Sequence, residues 1–345
     1  MYLEKAKFYS HEFEVDFTTN MDIPEGIKKI KWCQTANHAF FLLSTNDKTI
    51  KHWKVQEKKV KKVSQMNVNA LNDVQNDCVA STSMHNPGGC SGRPYNYLCS
   101  PPGGFPSLRL PVVETGQRAV PMVTCRRVYA NAHSFGINSI SNNSDGETFI
   151  SADEIRINLW NFEINNQTFN IVLVKPENIL NEVITSAEFH PTHCNMLAYS
   201  SSKGLIRLID LRQSALCDNH SKMFGGISPT YMPNNTTICS ISDIKFAKDG
   251  RHILSRDYMT LKLWDLNMES GPVFTFQVHD YLWSKMTDLL MDGSVYDNFD
   301  CCQSGDGMRA ATGSYNNIFR VFDYTTGSNE VTTLEASFNP MRYNC

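Results

Sequence analysis

Apolar and polar positions recur along this chain in one six-residue formula: apolar, polar, apolar, bulky, polar, apolar. Five segments carry it, at 50–55, 157–162, 206–211, 261–266 and 319–324. Alternation of period two buries one face of a strand, and the bulky fourth position (Trp53, Trp160, Ile209, Trp264 or Phe322) adds cover on the other. Upstream of three of these segments stands an Asp-Gly pair, at Asp145-Gly146, Asp249-Gly250 and Asp306-Gly307. Each is followed by a short apolar run, Thr148 to Ser151, His252 to Ser255 or Arg309 to Thr312. Asp-Gly supplies the positive φ of a tight hairpin, which predicts antiparallel pairs. A further strand is expected earlier in three of the units, at 137–140, 185–189 and 242–246, and a fourth after the formula, at 169–172 and 273–276.

Four strands per unit, repeated, predict an all-β fold built as a propeller of WD-repeat type, with about five recognisable blades. The bulky positions 160, 209, 264 and 322 are separated by 49, 55 and 58 residues. That is longer than the roughly 40–45 residues of a WD-repeat blade, and the surplus is assigned to loops. A β-sandwich also has short strands and glycine turns, but it does not repeat one strand formula five times. From Trp53 to Trp160 the step is 107 residues. The excess is a stretch from about Ser64 to Pro106 rich in Asn, Ser, Gly and Pro, a composition unable to fill a core. The organisation expected is therefore an outer strand and lead-in at 1–26, a first blade at 27–63, a flexible insertion or hairpin arm at 64–106, the remaining blades at 107–337 and a tail at 338–345.

Composition changes this picture little. The chain has 345 residues, 41% apolar and 19% charged, with a net charge of −3, so no basic excess points to nucleic acid. No apolar stretch approaches the ~18 residues of a membrane span. Glu4 and Lys5 interrupt the first residues, so no signal peptide is expected, and the 11 scattered cysteines read as reduced thiols of the cytoplasm or nucleus. On that expectation the Asn-x-Ser/Thr triplets at Asn142 and Asn166 are chance matches.

Searching for chemistry finds no phosphate-cradling loop, metalloprotease or kinase signature, and no nucleophile elbow. Neither a catalytic residue nor a cofactor is expected. Cys78, His85, Cys90 and Cys99 fall in the insertion at spacings without a Cys-x-x-Cys knuckle, so zinc is not expected there. Cys301 and Cys302 read as core and packing residues on one strand. His133, His190 and His279 each lie near a strand end and read as structural histidines bonded within their blades. His52 differs, because it takes the place of Leu159, Leu208, Leu263 or Val321 in the other units. A buried histidine without a partner costs stability, so His52 is expected to mark a partly covered blade.

The stretch from Phe149 to Trp160 closely resembles the WD-repeat B regulatory subunits, the 55-kilodalton class, of protein phosphatase 2A. So do Leu43 to Lys51, Glu182 to Pro191, Tyr199 to Gly204, Ser214 to Asp218, Ser255 to Tyr258 and Thr312 to Asn317. These ungapped matches run from about Ser10 to Pro340, and the insertion and the tail from Met341 resemble plant members in particular. The resemblance implies a regulator and not an enzyme. In that family a propeller binds a HEAT-repeat scaffold subunit and a separate catalytic subunit, and presents an acidic face to phosphoprotein substrates. It implies a substrate face at Phe135, Asp153, Glu154, Leu180 and Val183, with Phe135-Gly136 standing for Tyr-His and Glu154 for Asp. Near 291–298 the family's acidic and lysine positions are Met291, Gly293 and Asn298. Scaffold contacts are implied in the arm, at Lys58, Lys61, Leu108, Arg109 and Leu110. The family ring has seven blades, so the resemblance also implies truncation at both ends. Residues 1–19 then supply an outer strand of a missing neighbour, and apolar blade faces are left open. An interaction platform without phosphatase binding, or a non-functional truncated product, are the alternatives.

Overall fold

The computed structural model describes residues 6–11, 14–16, 21–23, 26–34, 39–63, 113–174, 182–213, 220–225, 239–285, 288–289, 297–315, 317–324 and 331–335. Two compact units arise, one of residues 1–56 and 123–345 and the other of residues 57–122. Five four-stranded sheets follow one another as the blades of a propeller. A separate two-stranded sheet pairs β1 (Glu14–Asp16) with β2 (Met21–Ile23).

The first blade comprises β3 (Lys29–Trp32), β4 (Phe40–Thr45), β5 (Ile50–Val63) and β6 (Val113–Tyr129). The second comprises β7 (Ser139–Asn142), β8 (Thr148–Ala152), β9 (Arg156–Asn161) and β10 (Ile164–Leu173). In the third are β11 (Ile184–Phe189), β12 (Met196–Ser201), β13 (Leu205–Asp210) and β14 (Lys222–Gly225). The fourth contains β15 (Ile241–Phe246), β16 (His252–Asp257), β17 (Thr260–Asp265) and β18 (Phe274–Gln277). The fifth contains β19 (Cys301–Gln303), β20 (Arg309–Gly313), β21 (Ile318–Asp323) and β22 (Val331–Glu335).

The repeated formula is thus the third strand of every blade. Four of these strands begin one residue ahead of it, and β5 begins on it. The Asp-Gly pairs are the first-to-second-strand turns, with Gly146, Gly250 and Gly307 at φ of 71°, 69° and 76°.

Blades hold together by burying apolar faces against each other. Leu43 and Ile50 meet Phe149 and Trp160 between the first two blades. Ile150 and Ile157 meet Ala187 and Leu197 between the next two. Ile206 and Phe224 meet Ile244 and Trp264 further on, and Leu254 and Phe276 meet Ala310 and Phe322 at the last junction. Each fully buried side chain of this size contributes about 1.5–3 kcal/mol. Charged side chains link the innermost strands. Lys31 donates to Glu188 at 3.1 Å and Lys29 to Asp300 at 2.8 Å, whereas Lys245 donates to Asp243 of its own strand at 2.7 Å. Burial by itself lowers the Lys245 ammonium, but Asp243 and Glu188 beside it raise it above the ordinary lysine range.

Several expectations need correction. His52 is not loosely covered: it is 6% exposed and lies between the rings of Phe41 and Phe162, at 5.5 and 5.2 Å. It pairs with Leu43 across the sheet, so it faces the second blade, while Trp53 faces away. On that other side Trp53 meets Phe8 at 4.8 Å and donates to Ser44, which in turn bonds Ser10. His190 is bonded within its own blade, where its Nδ1 accepts from the backbone N–H of His193 at 3.0 Å and Thr192 at 3.2 Å, but it also reaches beyond that blade. Its Nε2 meets the carbonyl of Gly250 in the next blade at 2.7 Å, because β11 ends where that turn crosses. Of the paired cysteines Cys301 is buried, but Cys302 is exposed on the opposite side of β19.

Candidate functional site

In an antiparallel blade the lead-in to the first strand and the turn between second and third strands lie at the same end. Phe135, Asp153, Glu154 and Val183 all belong to such segments, in the second and third blades. Backbone hydrogen bonds join them: Ile184 N donates to the Glu154 carbonyl at 2.8 Å, and Ile137 N donates to the Asp47 carbonyl at 2.9 Å. Val183 N donates to Ser202 Oγ at 3.1 Å, and Arg156 reaches Ser134 Oγ at 3.3 Å. One continuous strip therefore runs from the first blade's turn at Asp47 to the third blade's turn at Ser202.

Within the strip the two adjacent acids have opposite situations. Asp153 is fully buried and offers no surface to a partner. Its Oδ1 accepts from the backbone N–H of Ile155 at 2.9 Å and Arg156 at 2.8 Å, which fixes the turn. Its Oδ2 accepts from His133 Nδ1 at 3.0 Å. The His133 Nε2 lies 2.6 Å from Ser151 Oγ, and Ser151 Oγ accepts from Trp160 Nε1 at 2.8 Å. Donors run in one order along this chain, from indole to hydroxyl to imidazole to carboxylate, and every member is satisfied. Burial pushes the Asp153 carboxyl up, but these hydrogen bonds outweigh it and hold the group below the usual carboxylate range.

Glu154, by contrast, is exposed and has no cationic partner among the described residues. Phe135 is 39% exposed, and Val183 is half-buried. Of the substrate-face positions, these three present surface. Leu180 lies outside the described residues, as do Met291 and Gly293, while Asn298 is exposed. In the arm unit Lys58 is exposed on β5 and Lys61 lies on the same strand, whereas Leu108, Arg109 and Leu110 lie outside the described residues. Cys78, His85, Cys90 and Cys99 do too. No cluster of metal-ligating side chains is present among the described residues.

Sequence reasoning missed two features. Glu182 and Arg207 form a two-pronged ion pair at 2.5 and 3.1 Å at the edge of the strip, with Arg207 also over the Tyr199 ring at 5.7 Å. Burial raises the Glu182 carboxyl, but the Arg207 guanidinium more than reverses this and holds it low. The serine–tryptophan link was also missed. It recurs as Ser44–Trp53, Ser151–Trp160 and Ser255–Trp264, each nine residues apart. That constant spacing was the available signal.

Comparison with known proteins supplies the identity. The chain is 63% identical over 352 aligned positions to the beta isoform of the 55 kDa B regulatory subunit of serine/threonine protein phosphatase 2A from rice (Oryza sativa subsp. indica). That alignment takes in 98% of this chain and 67% of the relative. Identity to the alpha isoform of Arabidopsis thaliana is 62%, covering 98% of this chain and 69% of that protein. This chain belongs to the 55-kilodalton B regulatory subunits of protein phosphatase 2A. The likeness extends beyond plants. A phosphatase 2A regulatory subunit of Dictyostelium discoideum is 48% identical over 96% of this chain and 71% of its own length. No protein-family model matches the chain. The chain spans about two thirds of the length of these relatives. Its relatives are named regulatory subunits of a phosphatase, so this B-type chain is a regulator and not itself the enzyme.

Proposed function

We propose that this B-type chain binds the scaffold and catalytic subunits of protein phosphatase 2A in the cytoplasm or nucleus, and brings phosphoprotein substrates to the enzyme. The observation that carries the reading is 60–63% identity over 98% of the chain to plant B-type subunits. A rigid propeller suits the task, because a fixed framework holds turn residues at set positions. Docking a substrate beside the catalytic subunit raises its effective concentration there. Substrate contact is assigned to Glu154, Phe135 and Val183, with Glu154 attracting basic segments. Asp153 is assigned the role of holding Glu154 in place.

The test is size-exclusion chromatography of the purified chain with scaffold and catalytic subunits, together and alone. The expected result is a ternary peak, together with faster dephosphorylation of a phosphopeptide flanked by basic residues. A folded chain that elutes apart from the scaffold refutes the reading and leaves an interaction platform without phosphatase.

A further inference from the structure

Between the first two blades a cleft of about 170 Å³ is lined by Phe41, His52, Phe162, Gln34, Arg126 and Glu163, among others. Phe41, His52 and Phe162 form its aromatic side, with Phe162 9% and His52 6% exposed, and Gln34, Asn142, Asn143, Arg126 and Glu163 make the rest polar. A cavity of ~150 Å³ is large enough for one benzene ring, so by volume this cleft has room for a single ring beside its polar groups. Drug-sized ligands need ~300 Å³ or more.

Three features give the cleft a chemical preference. The first is His52, whose Nδ1 is buried without a hydrogen-bond partner. Leucine or valine stands at this place in the other blades, at Leu159, Leu208, Leu263 and Val321, so the fold itself does not call for an imidazole. Burial, then the nearby Arg126 charge, lower its pKa to about 4, so the ring is neutral at ordinary pH and Arg126 is left as the charge that faces a ligand. The second is Arg126. Its guanidinium lies over the Phe41 ring at 5.6 Å and is exposed, with no carboxylate partner among the described residues. The neighbouring Arg127 is paired with Glu163, which cancels that acid. One uncompensated positive charge is left beside an aromatic slot. The third is Gly146, where a Cβ would stand 3.0 Å from Gln34 Oε1, so glycine leaves the Gln34 amide its place in the lining.

We propose that this cleft binds a single aromatic ring carrying a carboxylate, with the ring packed against the Phe41, His52 and Phe162 side of the lining and the carboxylate on Arg126. Neither the substrate strip nor the arm takes part. The same chemistry is offered by a free aromatic acid and by a peptide that ends in an aromatic residue.

The test is isothermal titration of the full chain with phenylacetate and its neutral analogue phenylacetamide. A peptide ending in a phenylalanine carboxylate and the same peptide as its C-terminal amide are titrated alongside. The expected result is that the carboxylates bind about tenfold or more tightly than the amides, as one charge-assisted hydrogen bond gives. Arg126→Gln, at an exposed position, should abolish that preference while leaving the melting temperature unchanged. His52→Leu should weaken all ring binding in a chain that remains folded. Tighter binding of the peptide identifies a chain terminus as the natural ligand, and tighter binding of phenylacetate a small acid. Absence of binding at millimolar concentration, or equal binding of acid and amide, overturns the proposal.

Discussion

Ser151→Ala tests the reasoning on the second blade, because one oxygen there serves two buried groups. The hydroxyl accepts from Trp160 Nε1 at 2.8 Å and lies 2.6 Å from His133 Nε2. Removing it leaves the indole N–H and the imidazole nitrogen without that partner, in a site where Ser151 and Trp160 are 0% and 2% exposed. Each orphaned group costs about 1–3 kcal/mol. Asn158 Nδ2, 3.4 Å from His133 Nε2, takes over part of the second loss. The sum expected is about 2–4 kcal/mol, a large share of the ~5–15 kcal/mol by which domains are usually stable. Urea unfolding should therefore give a lower midpoint at unchanged slope. A second substitution isolates the indole bond. In a Trp160→Phe background there is no N–H to orphan, so Ser151→Ala should cost about 1 kcal/mol less than in the native chain. A cost below about 0.5 kcal/mol for the single change, the level of an ordinary surface substitution, would refute the network.

Three further outcomes follow from the same geometry. His52→Leu restores the residue type of the sibling blades and should raise stability by about 1 kcal/mol or more in the absence of ligand, read as a higher urea midpoint. Burial, with Arg126 and Arg256 respectively, lowers His52 and His279 from 6.5 to about 4, so the unfolded chain binds more protons between those values. Stability should accordingly fall as pH drops from about 6.5 towards 4, with a shallower slope in the His52→Leu chain, checked by urea titrations across that range. Gly250→Ala places a Cβ 2.5 Å from His190 Cε1 at a φ of +69° and should cost about 2 kcal/mol or more, whereas Gly271→Ala, in open space, should be near neutral.

How far the fold was legible follows from what each residue depends on. The strand formula and the Asp-Gly turns are local. A period of two and a positive φ need no distant partner, so five blades and their hairpins could be read directly. The bonds of His190 within its blade were legible, but its second partner, Gly250, is 60 residues away across a blade junction and was not. His52 was misread for a related reason. Its coverage comes from Phe162 of the next blade, and no pattern within its own strand announces that.

The candidate site was harder, because Asp153 and Glu154 are neighbouring acids and charge alone does not separate them. Comparing the repeats does. The residue opening the second-to-third-strand turn is Asn46, Asp153 or Asp257, and each bonds the backbone N–H groups two and three residues on. A side chain repeated in this role serves the turn and not a partner. The next position is free of that duty, and it holds Asp47, Glu154 and Tyr258 in the three blades. Asp47 and Glu154 are both exposed, but Asp47 already meets Lys28 at 3.4 Å. Glu154 is thus the acid of the strip with its charge left over for a partner. Glu154→Gln should weaken binding of a basic peptide and reduce its salt dependence while leaving the urea midpoint unchanged. An identical result from Asp153→Asn without loss of stability would show that the two acids had been wrongly distinguished.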